Sequence, residues 1–289
     1  MSSSAVDVTE HRLLEHVARL GDEHPPIDLA SVDFTVRRPE AVRERFGTVL
    51  DYMARAELEV ERNVLELATL LPDPPEVDRV FYTDVWGPQE ARHGLILDEL
   101  QVRIGRPPAT TDLTTVSTRL RVLGALAHLE PIQDVVRMLY YLTGMSTERS
   151  ALLAYHRLHD GLSELGEAAV TDTIITPIRR QEPGHYAFYQ LSARRHWAAL
   201  ARWQRWLVRR LRALSFAPVG AGTPEQKADV GDMMLGLGLG SPGAAAAFAE
   251  QVARVERELL FARDRGVRVP PYIAAAFRDA VIAAEARAA

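Results

Sequence analysis

Two stretches of the chain place a glutamate three residues before a histidine. They are Gln89-Glu90-Ala91-Arg92-His93-Gly94 and Glu182-Pro183-Gly184-His185. Residues three apart share a helix face, so each pair can offer a carboxylate and an imidazole to one metal ion. Either motif alone is within the reach of chance and takes its meaning from context. Here the context is two further glutamates. Glu57 lies 33 residues before Glu90, and Glu148 lies 34 residues before Glu182. One Glu from each of two helices, with Glu-x-x-His from each of the other two, is the ligand set of a carboxylate-bridged di-iron centre in a helical bundle. The chemistry suits these residue types. Two ferrous ions bring four positive charges, which four carboxylates nearly neutralise in a low-dielectric core. Two neutral imidazoles complete the shell and leave positions open for dioxygen.

Such a set needs four helices at matched heights. The similar gaps let one helix run up, turn, and bring the next back at the same level. Apolar periodicity predicts a short amphipathic helix over 8–20 and a long one from Pro39 to about Leu71. The apolar face of the second carries Phe46, Val49, Leu50, Met53 and Val60. Glu57 falls on that face, and Glu61 lies one turn later at its edge, an alternative to Glu57. A helix over 75–104 follows, with a kink or break expected at Pro88. Further helices are expected over 110–128 and 131–158. Gly161-Leu162-Ser163 is expected to separate the latter from a helix over 163–181, which continues past an irregularity at Pro183-Gly184 as 186–214. A loop at 216–223 precedes helices over 224–235, 243–264 and 271–288. No alternation suggests strands. The expectation is an all-α chain with a ferritin-like four-helix bundle core and additional N- and C-terminal helices. It divides into 1–38 (N-terminal helix and linker), 39–215 (the bundle) and 216–289 (a C-terminal extension packed on it).

Composition removes other chemistries. With no cysteine there are no disulfides, thiolate zinc sites, cysteine-ligated iron–sulfur clusters or cysteine nucleophiles. Lys227 is the only lysine, so no phosphate-binding Gly-Lys-Ser/Thr loop exists. A formal charge of −5 does not suit nucleic-acid binding. No apolar run reaches the roughly 18 residues of a membrane span, and the N-terminus lacks a basic, then apolar leader, so cytoplasmic residence is expected.

Two other features stand out. Arg194, Arg195, Arg202, Arg205, Arg209, Arg210 and Arg212 are interleaved with Trp197, Trp203 and Trp206, with no acidic residue between His185 and Pro224. This reads either as a docking face for an acidic carrier or anionic cofactor tail, or as a solvated helix face with its tryptophans turned inward. Met233-Met234-Leu235-Gly236-Leu237-Gly238-Leu239-Gly240 reads as a flexible apolar loop, or as a lid or acyl-chain contact. His128, His156 and His159 are expected at the surface or behind the ligands. Glu164 and Glu167 could replace Glu148 as a ligand, but Glu148 fits the separation better. Arg92 and Arg149 either contact ligating carboxylates or are solvated.

Glu90-Ala91-Arg92-His93-Gly94 resembles the iron-binding element of acyl-acyl-carrier-protein desaturases. Thr147-Glu148-Arg149-Ser150 is similar to the Glu-Arg pair of that family's third bundle helix, and Glu182 to Tyr189 is similar to its second motif. The resemblance covers about residues 40–210. It implies two ferrous ions on Glu57, Glu90, His93, Glu148, Glu182 and His185, with dioxygen as co-substrate. The implied reaction introduces a double bond into an acyl chain carried on acyl carrier protein or another thioester. A ferredoxin-like electron donor and a homodimer are also implied. Leu95, Phe188 and Leu191 are expected to line the acyl channel. Pro183-Gly184 departs from the family, which has ordinary helix formers there. Two rival readings remain: a di-iron oxygenase or N-oxygenase of a small metabolite, and a metal-free scaffold.

Overall fold

The computed structural model describes residues 9–60, 62, 73–111, 113, 124–218, 224–264 and 266–289. Among these the chain is all-helical, with no strand. Helix α1 (Glu10–Glu23) starts where the Thr9 side chain accepts the Arg12 N–H at 3.3 Å. Helix α2 (Pro39–Leu58) opens on a proline whose missing N–H costs nothing at that position. Its neighbouring orphan donors, the N–H groups of Arg37 and Arg38, are taken by the Glu167 carboxylate at 2.8 and 2.7 Å. Glu167 therefore caps a helix and is not a spare metal ligand. Glu164, the other alternative, is exposed and pairs with Arg45. α2 closes at Leu58, short of the expected Leu71, with the Glu59 N–H returned to the Arg55 carbonyl. Beyond Val60 only Arg62 of the expected continuation is described, and Glu61 lies outside the described residues, as does most of the helix expected over 110–128, of which 124–127 are helical.

Helix α3 is one rod in three parts, Glu76–Val80, Phe81–Trp86 and Gly87–Arg103. The middle part is a π-helix, in which the Gly87 N–H reaches back to the Tyr82 carbonyl. This wider winding precedes Pro88 and absorbs its missing N–H and ring, so the expected kink or break becomes a change of winding without interruption. The same device recurs in helix α5, which runs as Ala168–Val170, a π-helical Thr171–Ile175, and Thr176–Ala199, with Pro177 just after the π turn. α5 continues unbroken through Pro183-Gly184.

Helix α4 (Glu130–Glu164) is a single 35-residue helix, and the expected separation at Gly161 is absent. Gly161 is there for packing: a Cβ would lie 2.3 Å from Phe46 of α2. The turn comes later, at Gly166, with φ of +78°. The helix expected over 186–214 is in fact two. Leu200 and Ala201 are extended, and helix α6 (Arg202–Ser215) restarts with the Gln204 carboxamide accepting the Ala201 N–H. Helices α7 (Pro224–Gly236), α8 (Pro242–Leu260) and α9 (Pro271–Ala288) follow.

α2 packs on α3 and α4 on α5, forming a helical bundle; α7 lies against α2 and α9, and α6 and α8 against α4. The run 233–240 is not a flexible loop. Met233, Met234, Leu237 and Leu239 are buried, and Gly238, at φ +71°, closes α7 by returning its N–H to Leu235 and that of Leu239 to Met234. Arg212 is also not part of a solvated face. It is fully buried, donates to Glu256 at 2.9–3.2 Å, and bonds Thr143, Ser146 and the Leu142 carbonyl. Trp203 and Trp206 are exposed, the reverse of the inward expectation. No helix among the described residues is long and apolar enough to cross a membrane.

Candidate metal centre

Helical spacing delivers each donor to the middle of the bundle. Glu57 comes from the last turn of α2, Glu90 and His93 from α3, Glu148 from α4, and Glu182 and His185 from α5. Glu90, His93, Glu148, Glu182 and His185 are buried and Glu57 is half-buried. Their donor atoms form two overlapping groups, Glu57/Glu90/His93/Glu182 and Glu90/Glu148/Glu182/His185, each with all its atoms within 4.8 Å of one another. Glu90 and Glu182 belong to both. Each group contains one private glutamate and one private histidine.

Both imidazoles turn Nδ1 toward the carboxylates. His93 Nδ1 is 3.0 Å from Glu90 Oε2 and 3.5 Å from Glu182 Oε1. His185 Nδ1 is 2.8 Å from Glu90 Oε1 and 3.7 Å from Glu148 Oε2. Both turn Nε2 outward to an amide: His93 Nε2–H donates to Gln181 Oε1 at 2.6 Å and His185 Nε2–H to Gln89 Oε1 at 2.5 Å. Tyr155 donates its hydroxyl to Glu57 Oε1 at 2.7 Å, and Trp86 its indole N–H to Glu148 Oε1 at 3.2 Å. Phe81 and Phe188 stack with centroids 3.7 Å apart beside His185.

The electrostatics are those of anions crowded out of water. Burial, reinforced by neighbouring carboxylates, pushes Glu57 and Glu182 well above the ordinary carboxylate range, and burial raises Glu148 as well. Burial opposes ionisation of Glu90 too, but the imidazoles of His185 and His93 hold it well below the usual range. For His185, burial disfavours the imidazolium, yet Glu90 and Glu148 push it up to about 9. The decisive atoms belong to Glu182. Fully buried, neither of its oxygens receives a hydrogen bond among the described residues, and His185 Nδ1 is likewise without an aligned partner. Buried carboxylates are normally satisfied by donors or cations. This oxygen- and nitrogen-rich cluster can therefore hold a metal ion.

Sequence reasoning missed four contributors. Tyr155 and Trp86 carry no motif. Gln89 and Gln181 do carry one: both motifs read Gln-Glu-x-x-His, and the repeated glutamine was the available signal. One expectation is corrected. Leu95 is 52 % exposed on the outer face of α3 and cannot line a channel beside the cluster, whereas Phe188 is buried and Leu191 half-buried. Arg149 lies over the Tyr186 ring at 5.6 Å. Two surface clefts, one lined by Phe46, Leu235 and Leu237 and one by Leu152, His156 and Phe248, share no residue with the cluster.

Compared with protein-family models, curated proteins and solved structures, the chain finds no match. The functional reading rests on the cluster.

Proposed function

We propose that the chain is a ferritin-like di-iron oxidoreductase that uses dioxygen to introduce a double bond into an acyl chain held on a carrier protein. The observation that carries this is the pair of overlapping donor groups sharing Glu90 and Glu182, drawn from four helices in the pattern Glu, Glu-x-x-His, Glu, Glu-x-x-His. Carboxylate and imidazole donors without sulfur suit iron. Iron held there supplies the oxidising chemistry for removing hydrogen from an unactivated C–H bond.

The protein's part is positioning and exclusion. Glu57 with His93 would hold one ion and Glu148 with His185 the other, with Glu90 and Glu182 within reach of both. Tyr155 and Trp86 steady the Glu57 and Glu148 carboxylates by donating to one oxygen each. The stacked Phe81 and Phe188 keep water from the His185 side. The likeness of 90–94, 147–150 and 182–189 to acyl-acyl-carrier-protein desaturase motifs supports the substrate class, a ferredoxin-like donor and a homodimer. Exposed Trp203, Trp206, Arg202 and Arg210 on α6 supply a surface for an acidic carrier.

The test is anaerobic loading with ferrous ion, quantitation of iron per chain, then oxygen exposure with a panel of acyl-carrier-protein thioesters and mass spectrometry. Two irons per chain and a product lacking two hydrogens support the proposal. A product that gains an oxygen atom replaces desaturation by oxygenation. A chain that binds no iron overturns both and leaves the scaffold reading.

A further inference from the structure

The candidate centre is completed from outside the bundle. α1 lies on α5 at the second Glu-x-x-His motif. Its His16 Nε2 is 3.0 Å from the Gly184 carbonyl, and its buried Leu20 fills the space where Gly184 has no side chain. A Cβ on Gly184 would meet Leu20 Cδ1 at 2.3 Å. This gives the Pro183-Gly184 departure a purpose, since the glycine is where α1 sits.

Just past α1, two backbone carbonyls turn inward. Gln89 Nε2 donates to the His24 carbonyl, and Gln181 Nε2 donates to the carbonyls of His24 at 3.2 Å and Pro25 at 2.7 Å. Carbonyls only accept, so they fix which end of each carboxamide is nitrogen. The opposite end, the oxygen, must then face the imidazoles. An amide oxygen can only accept, so each imidazole keeps its proton on Nε2 and leaves Nδ1 aimed at the carboxylates. The pairing is crossed. Gln89, beside His93 on α3, holds His185 of α5, and Gln181, beside His185, holds His93.

We propose that residues 10–25 form a clasp that sets the orientation and protonated nitrogen of both imidazoles through Gln89 and Gln181. Metal binding then depends on a segment that supplies no ligand. The consequence for metal rests on the di-iron reading above; the crossed hydrogen bonding does not. Gln89 and Gln181 are positioning residues.

The test uses the full chain with 15N-labelled histidine. Gln89→Leu should abolish the exchange-protected Nε2–H signal of His185 and leave that of His93, and Gln181→Leu should do the reverse. Gln89→Glu keeps an acceptor for the imidazole while losing the donor to His24, so it should recover the His185 signal only in part: some recovery shows that the leucine variant was not merely misfolded, and full recovery overturns the clasp. Leu20→Ala combined with His16→Ala should weaken both signals together. Anaerobic titration with ferrous ion should show each leucine variant binding about 10- to 100-fold more weakly than the natural chain. Unchanged signals in both leucine variants, or loss of the signal on the same helix instead of the opposite one, overturn the clasp. If the natural chain binds two irons and the variants bind as tightly, the clasp falls and the metal reading stands. If the natural chain binds none but the signals respond crosswise, the metal reading falls and the hydrogen-bonding role of the clasp stands.

Discussion

Replacing Glu182 by glutamine should reverse sign with metal. Glu182 is fully buried beside Glu90, Glu148 and Glu57, and burial and those neighbours raise its carboxyl well above the ordinary 4.5. A carboxyl raised in the folded state keeps a proton that the unfolded chain has released. Its stability contribution is therefore full below about 4.5 and is lost as pH rises toward the folded value, at about 1.4 kcal/mol for each unit of separation. Glutamine has the same shape, carries no charge, and can donate to the oxygens of its neighbours. Without metal at pH 7.5, Glu182→Gln should thus be more stable than the natural chain by about 1–3 kcal/mol, the scale of an unsatisfied buried group. At pH 4.5 the two should be equal. With metal the order inverts. A ligand at 100 times its Kd stabilises the folded state by about 2.7 kcal/mol, which for a chain of this size raises Tm by roughly 4–5 °C. Glu182 belongs to both donor groups, so its loss weakens both and should cut the rise to about 2 °C or less. Differential scanning calorimetry of both proteins, with chelator and with anaerobic ferrous ion, reads all four values. A metal-free variant less stable than the natural chain would refute the electrostatic account. An equal rise in both proteins would refute Glu182 as a donor.

Glu57, Glu148 and Glu182 hold protons above the ordinary carboxylate range and His185 up to about 9, so metal binding at pH 7 should release more than one proton per chain and weaken as pH falls; calorimetric titration in buffers of different ionisation enthalpy measures the release, and a value near zero contradicts it. Arg212→Met strands the buried Glu256 carboxylate and should cost about 3–5 kcal/mol in urea denaturation, with Glu256→Gln in the same chain recovering most of the loss. Gly161→Ala gains helix propensity of about 1 kcal/mol but drives a methyl group to 2.3 Å from Phe46, so the net effect should be a loss of about 1–2 kcal/mol, visible as a lower Tm. A gain in stability would mean that α2 and α4 are not held at that separation.

That the chain is helical, and that Glu57, Glu90, His93, Glu148, Glu182 and His185 can meet, is legible in the sequence because both follow from one period. Apolar residues at helical spacing assign a face, and a regular rise turns a sequence gap into a height, so Glu57, Glu90, Glu148 and Glu182 could be set at one level from their numbering. Legibility ended where a residue's role depends on another helix. Gly161 looked like a break because glycine is a poor helix former, and only the Phe46 ring opposite shows it as a point of close approach. Pro88 looked like a kink, but the π winding of Phe81–Trp86 ahead of it changes the hydrogen-bond step, which composition does not encode. Leu95 neighbours Glu90 and His93 in sequence, yet it lies on the opposite, exposed face of α3. Arg212 shares its residue type with the exposed arginines of α6, and Glu256, 44 residues away, decides its burial. Sequence by itself determined an all-helical chain and which donor types could meet, because local periodicity and spacing suffice for that. Tertiary structure alone decided how the imidazoles are held: a motif is a relation along one helix, whereas the crossed bonds of Gln89 and Gln181, and the His24 and Pro25 carbonyls that anchor them, join separate segments through space.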